Sequence, residues 1–335
     1  MFSCESLCPQ IAVVISPKLG QTSSTSNKCQ QVFRFMAVFR WLFNQPYILL
    51  VLTAIFWGGN AIAGKLAVGH ISPFTLTFVR WLVAMAIVYP FALPHLRNDW
   101  PQIKRQFVFL VLLGATGFTL FNNLMYSALV HTSAINVAIV QASMPLTVFL
   151  LNYLLYKMRT TTLQVTGFTL TLIGVLIVAA QGKLETLLTL AINFGDLLML
   201  LAIVTYGIYS VLLKNKATMH WLSFIAVLGT SALVTSSMFM AWEANAGTQI
   251  WPDIQGWLVV IYTAVFPSIL SQVFWMRGLE LVGSNKGGVF INLVPVFGSL
   301  LAVMILGERF HLYHAVAMVL VVGGVWLSQQ LARGT

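Results

Sequence analysis

Residues 141–159 read QASMPLTVFLLNYLLYKMR, and residues 291–309 read INLVPVFGSLLAVMILGER. Laid on each other at an offset of 150, these stretches put Pro145 on Pro295 and Arg159 on Arg309. Further on, without a gap, Gly174 falls on Gly324. Upstream, at an offset of 149, Trp57-Gly58 falls on Tyr206-Gly207 and Lys65 on Lys214. Matching Leu and Val carry little weight in so apolar a chain, but matching Pro, Arg, Gly and Lys indicate an internal repeat.

Around these markers the sequence holds long apolar segments. A helix needs roughly 20 apolar residues to cross the hydrocarbon layer. On that criterion spans are expected at about 47–67, 72–93, 107–127, 133–156, 162–180, 194–214, 220–242, 256–276, 285–306 and 312–331. No stretch alternates apolar and polar residues long enough to suggest a barrel. The expected fold is an all-α membrane protein of ten transmembrane helices in two five-helix repeats, residues 46–181 and 194–332, preceded by a tail at 1–45. Five is odd, so the second repeat crosses in the opposite sense. Inverted repeats of this kind mark secondary transporters, whose solute site lies between the halves near the midplane.

Composition agrees. Of 335 residues, 59% are hydrophobic and 8% charged, and the mean hydropathy is +0.87. A soluble chain carries roughly 25% charged residues, so the main solvent here is lipid. The net charge of +10 is scattered in ones and twos between apolar spans. That pattern belongs to membrane topology and not to a phosphate-tracking surface, so no nucleic-acid partner is expected. Cys4, Cys8 and Cys29 form neither a disulfide framework nor a metal site. The polar first 35 residues, rich in Ser and Thr, look dispensable, and Met36 offers a start ahead of the first span.

Orientation follows from Lys and Arg. With the N-terminus inside, fourteen fall on the cytoplasmic side, three (Lys65, Lys183, Arg309) fall outside, and Arg80 lies within a span. The positive-inside rule then puts both termini in the cytoplasm, in the inner or plasma membrane.

Several local patterns resemble one family. Phe56-Trp57-Gly58-Gly59-Asn60 and Ser72-Pro73 followed by Arg80-Trp81 are similar to the opening spans of EamA-type proteins of the drug/metabolite transporter superfamily. Gly195-Asp196, and Pro295 followed by Gly307-Glu308-Arg309, resemble its second half. The resemblance covers about residues 45–332. It implies export or exchange of small metabolites such as amino acids, with no ATP-binding subunit and no fixed substrate. It also implies a structural role for Arg80. The first repeat departs from the pattern, with Lys157-Met158-Arg159 where the second has Gly307-Glu308-Arg309, so the Glu is not required twice.

Candidate site residues are polar or aromatic groups at membrane depth. Asn60, Asn122, Asn123, Gln141, Tyr206, Tyr209, Gln272 and Asn292 could hold a polar or zwitterionic solute, or could join helices to one another. Asn122 and Gln272 are repeat equivalents. Trp57 and Tyr206 sit mid-span, away from the interfacial belts, where they could form an aromatic wall. Pro145 and Pro295 would free the carbonyls of Gln141 and Ile291 and serve as hinges facing a cavity. Arg80 is expected either to tie helix ends through backbone carbonyls or to bind a carboxylate or phosphate. Glu308 closes the ninth span and is read as structural or gating.

None of the eight carboxylates lies near a span centre, so a deep acidic proton relay is missing. A proton, if coupled, would use a peripheral acid, a His or the substrate, and exchange against a counter-solute is an equal alternative. No nucleophile–base or acid–base constellation is present, so no catalytic residue, cofactor or metal is expected. The reading is a secondary transporter of small solutes in contact with membrane lipid. The alternatives are a nucleotide-sugar or phosphate-ester exchanger, an importer of the same superfamily, and a non-transporting receptor.

Overall fold

Proline opens helices along this chain, standing at positions where its missing N–H costs nothing. Pro46 starts α1 (Pro46–Leu66) and Pro73 starts α2 (Pro73–Arg105). The protein, seen as a computed structural model, is described over residues 41–157, 161–183, 193–283 and 287–330. Residues 1–40 of the expected tail, and Arg159, lie outside them. The bundle continues with α3 (Phe107–His131), α4 (Ala134–Tyr156), α5 (Thr162–Ala179), α6 (Phe194–Leu212), α7 (Trp221–Asn245) and α8 (Ile254–Val282). These eight are long and apolar enough to cross a membrane. The expected ninth and tenth spans are shorter apolar helices, α9 (Phe290–Leu306) and α10 (Leu312–Gln330). Every described element is helical. Large apolar side chains such as Val108, Leu258, Met304 and Val319 face outward, as a lipid-immersed surface requires.

Helix packing respects the repeat. Exchanging α1–α5 with α6–α10 turns the α1–α9 contact into α6–α4 and the α1–α8 contact into α6–α3, and all four contacts are present. The α2–α7 and α5–α10 pairs map onto themselves. Glycine sets the closest of these approaches. A Cβ on Gly174 would meet the Ala317 carbonyl at 2.8 Å, and one on Gly324 would meet the Gly167 carbonyl at 2.5 Å. The matched glycines are thus the two sides of the α5–α10 crossing. Small residues allow backbones to approach this closely in membranes, where packing must replace the hydrophobic drive.

The structure departs from the expected spans in three ways. The α2 helix does not stop near residue 93 but runs to Arg105, through Pro90, Pro94 and Pro101. Packing along α7 overrides the local breakers: Gly229 lies against Met85 and Trp81, Tyr89 Oη pairs with Thr230 Oγ1 at 2.7 Å, and Asp99 accepts the His220 N–H at 2.9 Å.

Secondly, Pro145 and Pro295 do not kink continuous helices. Each stands in the first turn of a second half-helix, Met144–Tyr156 in α4 and Val294–Leu306 in α9. Before them the chain turns at Ala142–Ser143 and in a 3-10 segment, Gly288–Leu293.

Thirdly, α3 and α8 each contain a π-helical turn, Ala115–Leu120 and Phe266–Leu270, at repeat-equivalent positions. Extra-residue turns of this kind concentrate at functional sites.

Candidate functional site

The broken half-helices of α4 and α9 and the π turns of α3 and α8 face one another across a cavity of about 340 Å³. This is near the lower end of the range of roughly 300–1,000 Å³ typical of small-molecule sites. Trp57, Asn60, Asn122, Gln141, Tyr206, Gln272 and Asn292 all line it, together with Pro145, Pro295 and Arg80. Tyr209 lies one layer behind this wall, buried against Gly117 and the Phe118 and Tyr206 rings. Asn123 is buried, and neither of its side-chain polar atoms has a partner among the described residues. Glu308 is away from the cavity, at the end of α9.

The walls are largely aromatic. Trp81 stacks on Phe118 with centroids 4.8 Å apart, Phe121 packs on Tyr206 at 5.1 Å, and Trp57 on Trp275 at 5.4 Å. Between these rings Gln141, Gln272 and Asn292 present amides that make no side-chain hydrogen bond to a described residue. Such an arrangement can hold a small solute with an apolar body and polar groups.

Arg80 organises part of the wall through side chains, and not through the helix-end carbonyls of one of the two sequence readings. Its Nε donates to Ser268 Oγ at 2.9 Å, and Nη1 donates to Asn122 Oδ1 at 2.7 Å and Asn60 Oδ1 at 3.4 Å. Nη1 also donates to the Tyr126 hydroxyl, which in turn donates to Asn60 Oδ1 at 2.9 Å. Four helices thereby meet on one guanidinium, which is 3% exposed. A buried charge must be satisfied by neighbours of this kind. Asn60 and Asn122 therefore serve both as cavity wall and as helix–helix links.

Sequence reasoning missed Tyr126, Ser268, Trp81 and Phe118. Tyr126 carried a usable signal, because it is four residues after Asn122 and so shares its helical face. Ser268 had only the preceding Pro267 to mark it.

At one end of the bundle, polar side chains close on helix termini. Lys65 Nζ donates to the carbonyls of Leu129 and Thr132, both at 2.8 Å. Glu308 accepts the N–H groups of Ala134 and Ile135. Glu243 accepts from the N–H groups of Phe74 and Thr75 and from the Ser72 hydroxyl. Asp196, in the first turn of α6, accepts from Thr132 Oγ1 at 2.7 Å. Asp253 pairs with His70 at 2.7 Å, and the Gly256 amide and His70 hold its carboxyl below the usual range. Carboxylates at helix N-termini satisfy free amides and complement the helix dipole. No group of three or more metal-ligating side chains occurs among the described residues.

Comparison with known proteins follows the same two halves. The model of the EamA-like transporter family matches residues 44–180 and, a second time, 193–329. The chain is 28% identical over 291 residues to the uncharacterized transporter YyaM of Bacillus subtilis (strain 168), covering 86% of this chain and 94% of that one. An uncharacterized transporter of Archaeoglobus fulgidus is 26% identical over 290 residues, covering 85% and 97%. A solved crystal structure with 22% identity superposes with a TM-score of 0.59 over 87% of this chain and 99% of that one, which supports the fold.

Proposed function

For a chain that belongs to the EamA-like transporter family, we propose a secondary transporter that exports or exchanges small metabolites, amino acids or similar compounds, by alternating access. The protein is an integral multi-pass membrane protein with eight apolar helices of spanning length. In the proposed arrangement α9 and α10 also cross, giving ten spans in two inverted repeats with both termini in the cytoplasm.

One observation carries the reading. Repeat-related elements converge on a single cavity: the half-helix starts at Pro145 and Pro295, the π turns of α3 and α8, and the Asn122–Gln272 pair. A receptor or a structural membrane protein has no need of such a symmetric chamber. Alternating access requires one, because the two halves must rock about a shared solute site. Trp57, Asn60, Asn122, Gln141, Tyr206, Gln272 and Asn292 would contact the solute, with Tyr209 supporting them from behind. Pro145 and Pro295 would act as hinges, because the backbone on their N-terminal side is already broken out of regular α-helix.

A phosphate-ester exchanger is the weaker reading. A dianionic phosphate calls for several cations, and Arg80 is the sole charged residue among those described around the cavity.

The test is a counterflow screen. The full chain is reconstituted into proteoliposomes loaded with unlabelled solutes and challenged with each radiolabelled counterpart. Accumulation of an amino acid or similar compound above protein-free liposomes is expected. Uniform absence of accumulation across amino acids, sugars, organic acids and phosphate esters would remove the transport reading.

A further inference from the structure

We propose that Arg80 is the anchor for a solute carboxylate, so that the cavity takes monoanionic acids and zwitterions bearing an apolar or aromatic body and rejects their neutral and cationic analogues. The proposal rests on the transport reading and names the substrate class of that same site.

The argument begins with charge. Arg80 is 3% exposed, lines the cavity, and is within ion-pairing distance of no carboxylate among the described residues. Arginine does not shed its proton in proteins. The cavity wall therefore carries a full positive charge among otherwise neutral groups. Ser268, Asn60, Asn122 and Tyr126 provide oxygens but no negative charge. Charged residues inside membranes pair with one another or with backbone carbonyls, and Arg80 has neither an acid nor a carbonyl partner among the described residues. Here the counter-charge is left for the solute to bring.

Geometry then narrows the anion. Nε and Nη1 are engaged with side-chain oxygens, and Nη2 donates to no described residue. With Nε and Nη1 occupied, Nη2 is left to donate to a carboxylate oxygen, and a monoanion matches the single charge of Arg80. A phosphate dianion would keep one charge unmatched, because Arg80 is the sole charged residue among those described around the cavity. The bonds to Ser268 and Asn122 fix the guanidinium plane in advance, so little side-chain freedom is lost on binding. Trp57, Phe121 and Tyr206, which line the same cavity, supply an apolar surface for the rest of the solute. The unpaired amides of Gln141, Gln272 and Asn292 offer carbonyl oxygens to an ammonium group, which admits amino acids as well as simple acids.

The test uses the purified full chain in lipid nanodiscs and two matched probe pairs: 3-phenylpropanoate with 3-phenylpropanamide, and L-phenylalanine with L-phenylalaninamide. Binding is read as quenching of tryptophan fluorescence and as a rise in unfolding temperature. At least one acid should bind about 10-fold or more tightly than its amide, the difference expected from one charge-assisted contact. Arg80→Gln should bring acid and amide to equal affinity, and Arg80→Lys should keep part of the preference. Equal binding of acid and amide by the wild type, or no binding of either acid, would overturn the proposal without requiring any variant to fold. Counterflow separates the two readings. Transport of solutes with no preference for acids would sink the Arg80 assignment and leave the transporter standing. Arg80-dependent acid binding with no transport of any solute would do the reverse.

Discussion

The Glu308 carboxylate at the end of α9 caps α4, accepting the Ala134 N–H at 2.8 Å. Its other oxygen takes the Ile135 N–H at 3.0 Å. The second repeat thus satisfies two of the free amides at a helix start in the first, and its charge opposes the dipole of that helix. Glu308→Gln should lower stability by about 1 kcal/mol and Glu308→Ala by about 1–3 kcal/mol, seen as falling unfolding midpoints in detergent. Because the residue lies away from the cavity, the relative rates for different solutes should not change. A Glu308→Gln protein that transports at full rate with altered selectivity would contradict this placement.

The α5–α10 crossing should tolerate no side chain at its two glycines. A Cβ at position 324 would lie 2.5 Å from both the Gly167 carbonyl oxygen and Thr171 Oγ1. Gly324→Val should abolish the monodisperse peak in size-exclusion chromatography. Gly323→Ala, whose added carbon meets nothing within 4 Å, should leave it intact. Equal behaviour of the two variants would show that this crossing is looser than described.

Much of this was legible in the sequence, and the rest was not for identifiable reasons. The matched Gly174 and Gly324 could be found because a close helix approach leaves a mark at the position itself. Asn122 and Gln272 stood out because polar amides are rare at membrane depth. The Arg80 network could not be read, because the partners Asn60, Tyr126 and Ser268 come from three other helices and nothing local pairs them. Glu243 likewise looks like a loop acid until α7 brings it to the start of α2. The length of α2 was misjudged because Pro90, Pro94 and Pro101 are local breakers, whereas the packing against α7 that carries the helix past them is long-range. The π turns carry no sequence signature beyond Gly117 and Pro267.

His220 should contribute to the loss of stability on mild acidification. This residue caps α7, and its Nδ1 accepts the Leu222 N–H at 3.3 Å, which requires the ring to be neutral there. Burial, followed by the His95 ring stacked 3.6 Å away, lowers its pKa, and nearby Asp99 opposes the shift. Above the ordinary value near 6.5, the folded and unfolded chains are both neutral at this site and the cap is fully present. As pH falls through that value the unfolded chain takes up the proton first, so stability declines until the lowered folded value is passed. The unfolding midpoint should drop between pH 7.5 and 5.5 by more in the wild type than in His220→Asn, which retains a capping acceptor. Parallel pH profiles would exclude this residue as a contributor.

The C-terminus should lie in the cytoplasm, given fourteen Lys and Arg on that side against three on the other. A fluorescent protein that matures only in the cytoplasm, fused after Thr335, should be bright. An exported phosphatase fused at the same point should be inactive. An active phosphatase would contradict the placement of both termini in the cytoplasm.

The central claim, that solute passes through the chamber between the repeats, is tested most directly by blocking that chamber chemically. Cys4, Cys8 and Cys29 are replaced by Ser, Gln272→Cys is introduced, and the protein is reconstituted for counterflow of the solute found in the screen. Treatment with a membrane-permeant, bulky thiol reagent should abolish accumulation, and excess solute present during treatment should slow the loss. Full counterflow after stoichiometric modification of that cysteine would contradict the account and place the path elsewhere.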